Sequence, residues 1–444
     1  MRGTVADEAD NSKKRRLDTS VSEQPISEGA GGSAEARARL AASLLASGRA
    51  GATVGEAFLT VPRHVFLAQD LAARAYEDTA IAIKSDADGL PVSASSQPAI
   101  MAVMLEQLGL SAGQRVLEIG TGSGYNAALI ARIVGDSGAV VTIDVEPDLI
   151  DQARARLAAA GFAEVTVVCG DGADGVPGRA PYDRIIVTAG VWELAPQWLA
   201  QLGPGGRIVA PISVRGIQLT VAFERAVTHW AGRLALRCSF IRMTGLSAGP
   251  ETFVPLGPQP GLHALVTDGP APAAGPLYEA LSGPAAELPA SPRLRVGDIA
   301  ELADLDLWLA LTEPGLSRVN LMGRYEGRAN QAQRGIAGLM PLGGFARYDS
   351  AGRLGVAALA VPSGPARGDG PLEVVVQGYG PGRAALAAQL AERSAAWDGL
   401  GRPGAGSLEL AVYPAGAPRP EAVGGQLISR RPNSALVAGW PRSA

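Results

Sequence analysis

The sequence has few of the side chains that most often build a catalytic centre unaided. Cysteine occurs twice in 444 residues, as Cys169 and Cys238, too few for a disulfide framework and expected to be reduced and buried. The three histidines, His64, His229 and His263, are scattered, and no metal site forms from them on the usual zinc-ligand spacings. A Ser-His-Asp hydrolase is also poorly supported by so few and scattered histidines. Positive charge is not in excess: 39 Lys and Arg against 43 Asp and Glu leave a formal net charge of −4. That balance argues against nucleic acid or an anionic membrane as the main partner. No apolar run reaches membrane-spanning length and no signal peptide opens the chain, so a cytoplasmic protein is expected.

What is present is concentrated in residues 116–131, VLEIGTGSGYNAALIA. Val116, Leu117 and Ile119 make a short apolar run, and after Gly124 the apolar positions Ala127, Ala128, Ile130 and Ala131 recur at helical spacing. A strand feeding a helix through glycines is a nucleotide-binding turn, because the helix start offers free N–H groups and glycine lets a ligand come close. The spacing is G-x-G-x-G, with Tyr125 where dinucleotide enzymes carry their last glycine, which favours a smaller adenosyl ligand over a pyrophosphate. A glycine turn alone is weak evidence, and the following strands decide. Residues 139–144, AVVTID, end in Asp144, 24 residues after Gly120, where a carboxylate can take ribose hydroxyls. A third strand, 165–168, runs into Cys169-Gly170-Asp171-Gly172 and places another acid at a strand end. The competing reading makes Asp144 and Asp171 solvated turn residues.

The rest of the chain divides into four stretches. Residues 1–34, with the basic run Lys13-Lys14-Arg15-Arg16, are expected to be a disordered, solvated tail. Residues 35–245 alternate helices and strands: helices over 35–45 and 54–59, an amphipathic helix over 147–160 and a buried strand over 183–188. A turn at Pro204-Gly205-Gly206 leads into a strand over 207–212, and a hairpin over 217–224 and 234–241 closes the sheet. This is an α/β, doubly wound domain of about seven strands. Residues 246–295, rich in Pro, Ala and Gly, read as a linker or wrapping segment, and residues 296–444 as a C-terminal α+β domain. In that domain 304–312, DLDLWLALT, is strand or helix at this length. A second strand, glycine turn and helix spans 372–397 with Gly378, Gly380 and Gly382. The strand after it, 408–412, ends in Tyr413-Pro414 with no acid, so these glycines are expected to turn the chain rather than hold a second nucleotide.

Taken in order, VLEIGTGSGYNAALIA, VTIDVEP, GDGADG, PYDRIIVTAG and LGPGGRIVAPI resemble the motifs of the protein-L-isoaspartate O-methyltransferases. Upstream, VPRHVFL, AYEDTAIAI and SSQPAIMAVML are similar to the same family, so the resemblance covers about residues 50–245. Within the family the chain looks most like variants that accompany lanthipeptide and other ribosomal peptide pathways, which carry an additional C-terminal region. The resemblance implies a Rossmann-like, S-adenosyl-L-methionine-dependent methyltransferase domain. It makes Ser96, in the S-x-P motif, the catalytic residue, its hydroxyl donating to the substrate carboxylate, with Ser95, Gln97, Pro98 and Thr244 on the substrate side. Glu118, Gly120, Thr121, Gly122 and Gly124 would surround the amino acid part of the methyl donor, Asp144 its ribose, and Asp171 with Gly172 its adenine.

Without the resemblance, Ser95-Ser96-Gln97-Pro98 reads as ordinary capping of a helix over 99–108. With it, a backbone amide at that helix start is expected to add a second donor for an anion. His64 is read as a packing residue, and the FIRMTG string at 240–245 as a peptide contact. Lys84 to Pro91, KSDADGLP, lengthens the connection between Asp78 and Ser96 relative to the repair enzymes, which changes the peptide that fits. The implied acceptor is a carboxylate, ionised at neutral pH, so no general base is needed; the site must supply alignment and exclude water. The expected function is esterification of an aspartyl or isoaspartyl carboxylate of a peptide or protein, leading to a succinimide, in maturation of a ribosomally made peptide. The alternative is repair of isoaspartyl residues in damaged proteins. Intact Ser96, Asp144 and Asp171 speak against a protein that merely binds a peptide, and the glycine spacing against a nicotinamide oxidoreductase.

Overall fold

The computed structural model describes residues 30–441 except 88, 90, 245–247, 251, 258–262, 268–269, 290–293, 314, 323–343, 362–370 and 419–426. The basic run at 13–16 lies outside the described residues, and the first helix, Ala30–Ala46, starts inside the expected tail. A second helix, Ala52–Thr60, buries Val54, Ala57 and Phe58.

The strand Arg115–Ile119 is the axis of the main sheet. Its side chains alternate, so Val116 enters the core on one face and Leu117 and Ile119 the core on the other. It pairs in parallel with Ala139–Asp144 and with Tyr182–Val187; beyond these lie Thr166–Cys169 and Leu202–Val214, also parallel. Parallel neighbours need helical crossovers, which Tyr125–Val134 and Pro147–Ala159 supply. The expected turn at Pro204-Gly205-Gly206 lies within the long strand Leu202–Val214. Ile217–Arg225 and Trp230–Cys238 then reverse the direction.

The sheet does not close at that hairpin. The segment to residue 238 supplies the expected seven strands, and Glu409–Pro414, which pairs antiparallel with residues 230–232 and is followed outward by Ser434–Gly439 and Leu427–Arg430, extends the sheet to ten. An unpaired edge is a template for another strand, and here the chain's own C-terminal segment covers it. The expected linker also carries structure. Thr252–Pro255, His263–Thr267 and Ala286–Pro289 join a second, antiparallel sheet of seven strands, with the helix Ala274–Ser282 between them. Thr252–Pro255 and Ala286–Pro289 are its two outer strands, where proline is tolerated because one side needs no ladder hydrogen bond.

The ambiguous 304–312 stretch is helical, within Ile299–Thr312, and the Asp298 side chain accepts from Glu301 N at 2.9 Å as its cap. Leu305 and Leu309 of this helix, and Leu390 and Trp397 of Arg383–Gly399, share one core with Leu117, Ile212 and Leu219 of the main sheet. The second glycine turn serves close packing, since a Cβ on Gly355 would stand 2.5 Å from the Gly382 carbonyl oxygen. Both cysteines are free thiols, but Cys169 is exposed, not buried, because it ends a strand on the sheet's rim; burial pushes the Cys238 thiol up to about 12. Among the described residues no helix is long and apolar enough to cross a membrane.

Candidate active site

The strand Arg115–Ile119 ends at a turn in which Gly120, Gly122 and Gly124 have φ of 102°, 49° and 87°. These are left-handed values that side chains disfavour. Gly120 is also sterically fixed: a Cβ there would stand 2.5 Å from Thr188 Oγ1. Gly120 and Gly122 face a cleft of about 990 Å³, with Glu118, Thr121, Asp144, Asp171 and Gly172 also in its wall. Gly124 is different. It starts the helix Tyr125–Val134 and turns toward the helix Pro147–Ala159, where its Cβ position meets Leu157 and Ala153, so its part is packing behind the turn.

The two strand-end acids are placed differently. Asp144 accepts from Gly122 N at 2.9 Å through Oδ2 and from Glu146 N at 3.2 Å through Oδ1. Each oxygen keeps a second lone pair for a hydroxyl. Asp171 is exposed and accepts from Ala173 N at 2.8 Å as the cap of a short 3-10 turn. Glu118 is fully buried, its carboxylate accepting from Asn126 Nδ2 and Thr142 Oγ1, both at 2.7 Å. Burial raises its pKa to about 7, against the pull of those hydrogen bonds, and the neighbouring Asp144 charge adds to the rise. Thr121 joins the same network, 2.8 Å from Thr142 Oγ1. Glu118 and Thr121 thus brace the turn from below. The glycine cradle, the two lone-pair-bearing acids and the cleft volume fit an adenosyl ligand.

Ser95, Ser96 and Gln97 also line the cleft, ahead of the helix Pro98–Leu108. Pro98 does not line it: the proline is buried at the first helical position, where its missing N–H costs nothing. The expected free amide at this helix start is partly taken, because Asp78 Oδ1 accepts from Ala99 N at 2.8 Å and Oδ2 from Gln97 Nε2 at 3.2 Å. The lengthened connection before Ser96 is a β-hairpin, Ile81–Ser85 with Pro91–Ser95. Lys84 ties it across to the strand-end segment through Glu146 at 2.6 Å and Asp148 at 2.7 Å. Thr244 is exposed in the cleft wall, its segment held to the sheet by Met243 N donating to Gly190 O at 2.9 Å; Gly245 lies outside the described residues.

Sequence analysis placed Arg63 only within the VPRHVFL string, since nothing local reveals what its guanidinium collects. It is completely buried and donates to five carbonyls, of Ala75, Glu77, Thr79, Ser95 and Ser96, and to Ser95 Oγ. Burial lowers its pKa, with the nearby Tyr125, Asp78 and Tyr76 opposing. His64 packs edge-on against Tyr76, Nδ1 2.7 Å from the phenol oxygen, and burial lowers its pKa further from neutrality. The sequence also gave no sign that Ala300, Ala303 and Asp304 of the helix Ile299–Thr312, with Ala405 and Gly406, would wall the same cleft. Asp304 accepts from Ala405 N at 2.9 Å, and its partial burial raises its pKa.

A model of the protein-L-isoaspartate(D-aspartate) O-methyltransferase (PCMT) family matches residues 36–248. The protein-L-isoaspartate O-methyltransferase of Methanopyrus kandleri is 43% identical over 197 residues, covering 43% of this chain and 83% of that protein. That of Thermotoga maritima is 40% identical over 195 residues, 43% of this chain, which spans only 61% of the Thermotoga protein. A solved protein-L-isoaspartate O-methyltransferase aligns with 84% of this chain and 96% of its own, at 25% identity and a TM-score of 0.46.

Proposed function

Because the chain belongs to the protein-L-isoaspartate(D-aspartate) O-methyltransferase family, we propose that it methylates an isoaspartyl or aspartyl carboxylate of a peptide or protein, with S-adenosyl-L-methionine as donor. The observation that carries this reading is that Ser96, the glycine turn and Asp144 line one cleft. The donor supplies an electrophilic methyl group on a sulfonium. The glycine turn would hold its amino acid part, Asp144 its ribose and Asp171 its adenine, and Ser96 would donate its hydroxyl to one oxygen of the acceptor carboxylate. The other carboxylate oxygen is the nucleophile. No residue has to take a proton, which suits a cleft whose described lining residues include no histidine. The ester carries methoxide, a far better leaving group than the oxide of a carboxylate, so the following backbone nitrogen can attack the carbonyl, lose its proton to the departing methoxide and close a succinimide, releasing methanol.

The finer reading is that the acceptor is a dedicated, ribosomally made peptide, as in the lanthipeptide-associated variants. It is supported by the cleft wall that Ala300, Ala303, Asp304, Ala405 and Gly406 contribute, which lies outside the segment the family model matches. In this reading that wall recognises the peptide. Repair of damaged proteins remains the reading with a generic acceptor. The chemistry is tested by incubating the protein with S-adenosyl-L-methionine and isoaspartyl and aspartyl peptides, and detecting a base-labile methyl ester by mass spectrometry. A protein that binds S-adenosylhomocysteine yet forms no ester on either would refute the methyltransferase reading for these acceptors.

A further inference from the structure

Taking an Arg side chain wholly out of water costs several kcal/mol unless its donors are satisfied. Arg63 is 0% exposed, and its bonded partners are neutral: the carbonyls of Ala75 at 2.9 Å, Glu77 at 3.2 Å, Thr79 at 3.3 Å, Ser95 at 3.2 Å and Ser96 at 2.9 Å, and the Ser95 hydroxyl at 3.2 Å. These partners fall into two groups. Ser95 and Ser96 are consecutive, and both carbonyls are held by Nη2, which fixes the backbone that aims the Ser96 side chain. Glu77 and Thr79 flank Asp78, whose carboxylate caps the helix behind Ser96 at Ala99 N. A third contact points the other way, since the guanidinium carbon lies 5.9 Å from the ring centroid of Tyr125, the first residue of the helix after the glycine turn.

We propose that Arg63 is a positioning residue that sets the Ser96 hydroxyl in register with the glycine turn, and so aligns acceptor with donor. The proposal rests on the reading of Ser96 as the acceptor contact. A planar fork with five N–H groups serves acceptors on both loops at once, whereas lysine has three rotatable donors on a single nitrogen. Replacing it should therefore leave the donor site assembled and let Ser96 drift.

The test compares the full chain with Arg63→Gln, Arg63→Lys, Ser96→Ala and the Arg63→Gln/Ser96→Ala double variant. Turnover, peptide KM, S-adenosylhomocysteine affinity and the thermal midpoint are read for each. Misplacement by about an ångström costs roughly 100-fold in rate, so Arg63→Gln should lose about that in kcat with unchanged S-adenosylhomocysteine affinity. Arg63→Lys should recover part of the loss. The double variant should be no slower than Ser96→Ala, because Arg63 acts through that hydroxyl. Losses that multiply in the double variant, or affinity for S-adenosylhomocysteine that falls in step with kcat, would overturn the proposal in favour of a purely structural Arg63. If the unaltered protein binds S-adenosylhomocysteine but esterifies no peptide, the function reading itself fails and the proposal falls with it.

Discussion

The Asp144 carboxylate accepts a hydrogen bond from Gly122 N at 2.9 Å, so the acid that ends one strand fixes the turn that ends its neighbour. The acid thereby shapes the cradle, and it lines the cleft. A hydrogen bond to a charged group contributes about 1.5–3 kcal/mol, so Asp144→Ala should weaken S-adenosylhomocysteine binding roughly 10- to 100-fold by calorimetry. Affinity within a factor of about two of the unaltered protein would remove Asp144 from the donor site.

Gly120 combines a φ of 102° with a Cβ position 2.5 Å from Thr188 Oγ1, which itself donates to Gly120 O at 2.7 Å. Gly120→Ala should cost about 1–3 kcal/mol of stability, read from denaturant unfolding, and should also impair donor binding. Adding Thr188→Ala relieves the clash but not the backbone strain, so only part of the loss should return.

Glu118 makes stability depend on pH. Its folded pKa is about 7, above the ordinary carboxylate value, so the folded state holds this proton more tightly than the unfolded chain. Between the ordinary carboxylate pKa and about 7 the unfolded chain is ionised while the folded one is not, and stability falls as pH rises through that window. Glu118→Gln keeps an acceptor for Asn126 and cannot ionise. Its thermal midpoint relative to the unaltered protein should rise from pH 4.5 to pH 7.5; a flat difference would contradict the shift.

The wall contributed by Ala300, Ala303, Asp304, Ala405 and Gly406 should act on the acceptor alone. Ala303→Trp places a large side chain in that wall and should raise the peptide KM while S-adenosylhomocysteine affinity stays unchanged. Equal damage to both would place this wall at the donor end of the cleft.

The glycine-turn half of the cleft was legible because its signals are local: a strand, glycines and an acid at the next strand end lie within about 30 residues, the span of one βαβ unit. On the side of the helix Pro98–Leu108, the only lining residues singled out were Ser95, Ser96 and Gln97. What surrounds Ser96 comes from distant residues, such as Asp78 on the helix cap and Arg63 on five carbonyls. The same limit applies to the fold. Residues 230–232 pair with 410–412, far along the chain, and a strand pattern does not say which edge it will join. Pro255 and Pro289 made the 246–295 stretch read as a linker, whereas they sit on the two outer strands of a sheet. Gly124 and Pro98 were grouped with ligand contacts because motif strings do not distinguish a residue that faces the cleft from one that supports it.

The most direct measurement is methyl transfer from labelled S-adenosyl-L-methionine to an isoaspartyl peptide and its matched aspartyl peptide, each with the unaltered protein and with Ser96→Ala. The account predicts ester on at least one of them, reduced roughly 10- to 100-fold by Ser96→Ala, with donor binding intact. Ester on the generic isoaspartyl peptide alone selects the repair reading. Methyl transfer that is indifferent to Ser96 would contradict the central claim, and none to either peptide from a protein that binds S-adenosylhomocysteine would leave only a dedicated peptide as acceptor.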